Sequence, residues 1–190
     1  IRRAPRIANK TFLLVLLILL LTTMAAVFVK PVAAAGTIYI RADGSVDPPT
    51  APIQRNGNVY TFTGNTNDSL VVEKDSVVVD GAGYTQGPGG FGATAISLTG
   101  RSDVTIRNMK VTNFYRGIVL SGSSNNRIEG VEMTGTPTEA IRLYSSSNYN
   151  SISGSSIVNN YVGISLTESS NNEISRNYLT NSMSSITISQ

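Results

Sequence analysis

A period of 22–23 residues governs the chain from residue 96 onward. Ile96-Ser-Leu98, Ile118-Val-Leu120, Ile141-Arg-Leu143, Ile164-Ser-Leu166 and Ile186-Thr-Ile188 follow one another at spacings of 22, 23, 23 and 22. Ile106, Ile128, Ile152 and Ile174 form a second column, and Val111, Met133, Ile157 and Leu179 a third, each five residues after its partner in the second. Small residues stand just before the first column at Gly117, Ala140, Gly163 and Ser185. A polar corner separates the first and second columns: Ser123-Ser-Asn-Asn126, Ser146-Ser-Asn-Tyr-Asn150, Ser169-Ser-Asn-Asn172. Features that keep one period together are the signature of a stacked repeat.

Within each period the apolar positions alternate as I-x-L, which is strand spacing, because every second residue of a strand faces the same side. No i, i+3, i+4, i+7 pattern is present, and Ser, Asn, Thr and Gly are too frequent for helices. One unit cannot bury its Ile face alone, whereas units stacked about 4.8 Å apart bury it on their neighbours. The pattern therefore predicts an all-β parallel β-helix with three short strands per rung. A leucine-rich repeat has a similar period but needs Leu and Asn at offsets this chain does not keep. Stacking also makes lateral neighbours of Arg107 and Glu129, Lys110 and Glu132, and Arg116 and Glu139, pairs worth roughly 0.2–1 kcal/mol each.

Before the regular rungs, Leu70-Val-Val72 and Val77-Val-Val79-Asp80 read as an irregular first turn, with Val79 in the place of Ile106. Its extra length falls in the glycine-rich segment 81–92, read as a loop. Thr37-Ile-Tyr-Ile40 and Asn58-Val-Tyr-Thr-Phe62 read as strands around a Pro-rich turn. Residues 36–69 are then an N-terminal β cap and residues 70–190 the β-helix. The final Ile186-Thr-Ile188 opens a fifth rung without a cap, so the sequence is read as a fragment.

Residues 12–29 are an uncharged apolar run, with Arg2, Arg3, Arg6 and Lys10 before it and Ala33-Ala-Ala-Gly36 after it. Residues 1–35 accordingly read as an N-terminal hydrophobic helix, either a cleaved secretory signal or a retained membrane anchor. Both place everything after Gly36 outside the cytoplasm, secreted or anchored at the cell surface. The formal charge of +3 is concentrated here. Without Arg2, Arg3, Arg6, Lys10 and Lys30 the chain has 10 basic residues against 12 acidic, which argues against a nucleic-acid partner. With no Cys and no His, disulfides, zinc fingers and Ser-His or Cys-His nucleophilic sites are excluded.

The stretch GTIYIRADGSVDPPTAPI, the VVVDGAGY turn and the G-I-x-L … S-x-N-x-I units resemble exported prokaryotic right-handed β-helix proteins of the NosD-like group, within the pectate-lyase-like superfamily. The resemblance covers about residues 36–190. It implies a right-handed coil and a carbohydrate-binding or sugar-hydrolysing type of domain. The family's namesake is described as a periplasmic accessory protein in copper delivery to nitrous oxide reductase.

Copper sites need His, Cys or clustered Met. Met24 lies in the apolar run, Met133 in a core column, and Met109 and Met183 are isolated by the register. No metal site and no cofactor are expected. A lyase or hydrolase on this fold would need converging acidic residues; Asp80, Asp103, Glu129, Glu132, Glu139, Glu168 and Glu173 are scattered among the columns. Activity is left open, and if present it would be that of a polysaccharide lyase or glycoside hydrolase. The Asn runs read as corner ladders bonding along the axis. Exposed tyrosines carry the binding expectation, because sugars stack on their rings. Tyr144 faces outward beside Arg142, among the hydroxyl residues Thr99, Ser121 and Thr167, and Tyr115 and Tyr161 sit near the third corner. These residues, Tyr115, Arg142, Tyr144 and Tyr161, are the candidate contacts for a polysaccharide or cell-surface glycan. The alternatives are a purely structural role and an accessory role beside a transport or maturation system, with residues 12–29 in the membrane if uncleaved.

Overall fold

The computed structural model describes residues 35–190. The expected N-terminal signal or anchor helix at residues 1–35 lies outside these residues apart from Ala35. Among the described residues no helix is long and apolar enough to cross a membrane.

Among the described residues the regular elements are all strands. The first rung holds β1 (Thr37–Ile40), β2 (Val46–Asp47), β3 (Ile53–Asn56) and β4 (Val59–Phe62). The second holds β5 (Ser69–Val72), β6 (Val78–Asp80) and β7 (Thr85–Gln86), and the third β8 (Thr94–Thr99), β9 (Thr105–Arg107) and β10 (Lys110–Thr112). Next come β11 (Arg116–Ser121), β12 (Arg127–Glu129) and β13 (Glu132–Thr134), then β14 (Glu139–Tyr144), β15 (Ser151–Ser153) and β16 (Ser156–Val158). The sixth rung holds β17 (Val162–Thr167), β18 (Glu173–Ser175) and β19 (Tyr178–Thr180), and β20 (Ser184–Ser189) follows.

Equivalent strands pair in parallel to make three long sheets. The first runs β2-β1-β5-β8-β11-β14-β17-β20, the second β18-β15-β12-β9-β6-β4-β3, and the third β19-β16-β13-β10-β7. This is a parallel β-helix. Antiparallel pairing occurs at one end, where β2 folds onto β1 and β3 onto β4. The parallel ladders reach back through β1 and β4, which pair with β5 and β6.

The aliphatic columns stack as the period requires. Ile96, Ile118, Ile141, Ile164 and Ile186 are successive register partners, as are Leu98, Leu120, Leu143, Leu166 and Ile188. Val79, Ile106, Ile128, Ile152 and Ile174 line up in the second sheet. Most of these side chains are fully buried, and each such Ile or Leu stabilises the coil by about 1.5–3 kcal/mol. The small-residue column has a steric cause. A Cβ at Gly117 would lie 2.1 Å from the Ala140 carbonyl oxygen and 2.2 Å from the Met133 methyl.

Three details differ from the sequence reading. The glycine-rich segment contains β7, which pairs with β10 and carries the fully buried Gln86 in line with Val111. The Gln86 amide donates to the carbonyls of Asp68 and Ala95, both at 2.7 Å, so backbone oxygens in the irregular rung find a partner there. Met109 is fully buried in the core rather than set apart. Arg107 lies beside Glu129 in register, yet its guanidinium takes Asp80 on the other side at 2.9 Å; the expected pairs Lys110–Glu132 and Arg116–Glu139 stand at 3.1 and 3.9 Å.

Two kinds of asparagine recur along the coil. Asn126, Asn150 and Asn172 turn inward and form an amide ladder. Asn108, Asn113, Asn125, Asn159, Asn171 and Asn181 occupy corner positions at φ between 50° and 59°, a left-handed conformation that Asn tolerates better than most residues.

Candidate functional site

The outward face of the first sheet carries the candidate site, and β14 supplies its centre. Ile141 and Leu143 point into the core, so alternation turns Arg142 and Tyr144 outward, where both are half-buried. Register places Arg142 between Val119 and Ser165, and Tyr144 beside Ser121. The Arg142 guanidinium lies over the Tyr144 ring, 4.8 Å from its centroid.

Glu139 joins this pair to the next rung. Its strand carries two successive buried residues, Ala140 and Ile141, and this slip in the alternation leaves Glu139 on the same outward face as Arg142. Its carboxylate stands 3.5 Å from Arg142 Nη1 and 3.9 Å from Arg116 Nε. The Arg116 guanidinium in turn lies 5.1 Å from the centroid of the Tyr115 ring. Phe91, projecting from the glycine-rich segment, places its ring 5.6 Å from that of Tyr115 at an interplanar angle of 47°. The result is a continuous shelf, Phe91–Tyr115–Arg116–Glu139–Arg142–Tyr144, with an aromatic group at each end and charge between.

A shallow depression of about 340 Å³ lies within the shelf, lined by Thr94, Ser97, Arg116, Val119, Arg142 and Tyr144. Rungs stack about 4.8 Å apart and strands advance about 3.3 Å per residue, so Tyr144 stands roughly 20 Å along the strand direction from the Tyr115 corner. Aromatic faces at both ends and hydroxyl and guanidinium donors between them are what a chain of pyranose rings can use.

Arg142 and Tyr144 are thus in contact, and Tyr115 is joined to them at a distance through Arg116 and Glu139. Tyr161 is not part of their network. The register Glu139–Val162 sets it beside Thr138, whose hydroxyl donates to the Tyr115 carbonyl, so Tyr161 sits in the Tyr115 column two rungs away. It is 54% exposed. Sequence reasoning gave Arg116 and Glu139 a register role only, and it had no signal for Phe91, which depends on the path of the glycine-rich segment.

Among the described residues no group of three or more His, Cys, Asp or Glu stands together. Of the sulfur donors, Met109 and Met133 are buried and Met183 is exposed by itself, while Met24 lies outside the described residues. The Asn and Ser corners are committed to the coil: the Ser147 hydroxyl and Asn150 amide bond to groups one rung away. Glu139 is the one carboxylate in the shelf, whereas glycoside hydrolysis uses a pair.

The family model NosD, described as "Periplasmic copper-binding protein (NosD)", matches residues 53–190. No curated protein matches the chain, and no solved structure does.

Proposed function

The chain belongs to the NosD family, and from that premise we propose that it is an exported β-helix protein that binds carbohydrate on the outward face of its first sheet. The observation that carries this reading is the shelf, in which Arg142 over Tyr144 and Arg116 over Tyr115 flank a hydroxyl-lined depression. The family's periplasmic description supports work outside the cytoplasm, and the hydrophobic run at residues 12–29 supports export, whether by secretion or by anchoring. Binding is favoured over hydrolysis because the single shelf carboxylate lies between two arginines.

Copper does not fit the residues present. Copper is held by imidazole, thiolate or grouped thioethers; the chain has no His or Cys, and the methionines of the described residues are buried or alone. The proposed role therefore does not route copper through this stretch.

A glycan array probed with the wild-type chain and with Tyr144→Ala tests the proposal. Wild-type binding to at least one glycan class, lost in the variant with the circular-dichroism spectrum unchanged, is expected. Absence of wild-type binding to every glycan overturns it.

A further inference from the structure

Resting on the carbohydrate reading of the shelf, we infer that its ligand is a glycan bearing oxyanions, carboxylate or sulfate, and not a neutral one. Ion pairs elsewhere in the coil run from Arg107–Asp80 at 2.9 Å and Lys110–Glu132 at 3.1 Å to Arg127–Glu129 at 4.0 Å. Arg116 and Arg142 share Glu139 at 3.9 and 3.5 Å, beyond the 2.7–2.9 Å of a charge-assisted hydrogen bond. Among the described residues Arg142 Nε is buried and has no hydrogen-bond partner.

Two guanidiniums against one carboxylate leave one positive charge on the shelf. A guanidinium has five donors in a fixed fork that matches a planar oxyanion bidentately. Each of these is also held over an aromatic ring, an arrangement that orients the fork at little entropic cost. Thr94 and Ser97 add hydroxyls on the floor of the depression. Neutral sugars would meet the rings and hydroxyls equally well, but would leave the excess charge and its donors unmatched.

Glu139 gives the inference a distinctive consequence, since it competes with an incoming anion for both arginines. Isothermal titration with a uronic-acid oligomer, its fully methyl-esterified form and a sulfated neutral oligomer separates the cases. Expected are binding of the uronate or the sulfated oligomer, the preferred one naming the oxyanion, with weaker binding of the ester. Glu139→Gln is expected to tighten the anionic complex about two- to fivefold, and Arg142→Gln to weaken it while leaving the ester unaffected. Equal binding of uronate and ester, both lost in Tyr144→Ala, overturns the inference and leaves the carbohydrate reading standing. Failure of all three oligomers to bind overturns the inference, and the carbohydrate reading then stands or falls on the glycan array. Thermal melts of each variant establish that it is folded, and Glu139→Gln tests the inference even if Arg142→Gln is not.

Discussion

Asn126 donates its side-chain amide to Oδ1 of Asn150, one rung away, at 3.0 Å. The same oxygen accepts the backbone N–H of Asn126 at 2.9 Å, while Asn150 Nδ2 donates to the Ser123 carbonyl at 2.9 Å and to Asn172 Oδ1 at 3.1 Å. One buried side chain thus satisfies backbone groups at a corner where the sheet ladder is interrupted, and the next rung repeats the device.

Asn150→Ala should therefore cost about 3 kcal/mol, since it strands buried donors that water cannot reach. Asn125→Gly, at a corner with φ 59°, should stay within about 0.5 kcal/mol. Urea unfolding midpoints compare the two. Similar losses at both sites would mean that the ladder is not what makes Asn150 important.

Gly117→Ala should destabilise the coil by about 1–3 kcal/mol, because the added carbon meets the Ala140 carbonyl oxygen and the Met133 methyl. Gly90→Ala, with nothing within 4 Å of the new carbon, should be close to neutral. A calorimetric melt of each protein checks the difference.

Acid should weaken the second sheet through Asp80. Burial pushes its carboxyl up, but hydrogen bonds from the Ala82 N–H, Asn108 and Arg107 outweigh that and hold it below the ordinary value. A carboxyl with a lower pKa in the folded state stabilises the fold above its unfolded pKa of about 3.9, and this contribution disappears as pH falls through the folded value. Melting temperatures between pH 5 and pH 2 should fall more steeply for the wild type than for Asp80→Asn. Parallel curves would assign the acid sensitivity elsewhere.

Tyr161→Ala should weaken binding of long oligosaccharides and leave short ones unchanged. The ring is exposed two rungs from Tyr115 and outside the shelf network, so only a ligand extending along the axis reaches it. Titration with an oligomer length series reads this directly, and an equal effect at every length would place Tyr161 within the primary contact.

The stacking of Ile118, Ile141 and Ile164 was legible because burial admits few residue types and each rung repeats the demand. The partner of Arg107 was not: Glu129 and Asp80 are both lateral neighbours, and only the irregular second rung sets Asp80 within 2.9 Å. The shelf was half legible. Alternation exposes Arg142 and Tyr144, and the period puts Arg116 beside Glu139. Strict alternation, however, would turn Glu139 inward with Ile141. The extra buried residue Ala140 reverses this, and such a slip has no mark in sequence beyond a small side chain. Gln86 escaped for a related reason, being a polar residue in a glycine-rich segment that nevertheless occupies a core column.

The most direct test of the stacked coil is a disulfide between register partners in a chain that has no cysteine of its own. Thr105 and Arg127 are lateral partners in β9 and β12, about 4.8 Å apart at Cα and so within bonding range. Thr105→Cys with Arg127→Cys should oxidise to a single intramolecular disulfide in the folded protein. Thr105→Cys with Glu129→Cys, offset by two residues to about 8 Å, should not. Crosslinking of the offset pair in place of the register pair would contradict the stacked coil.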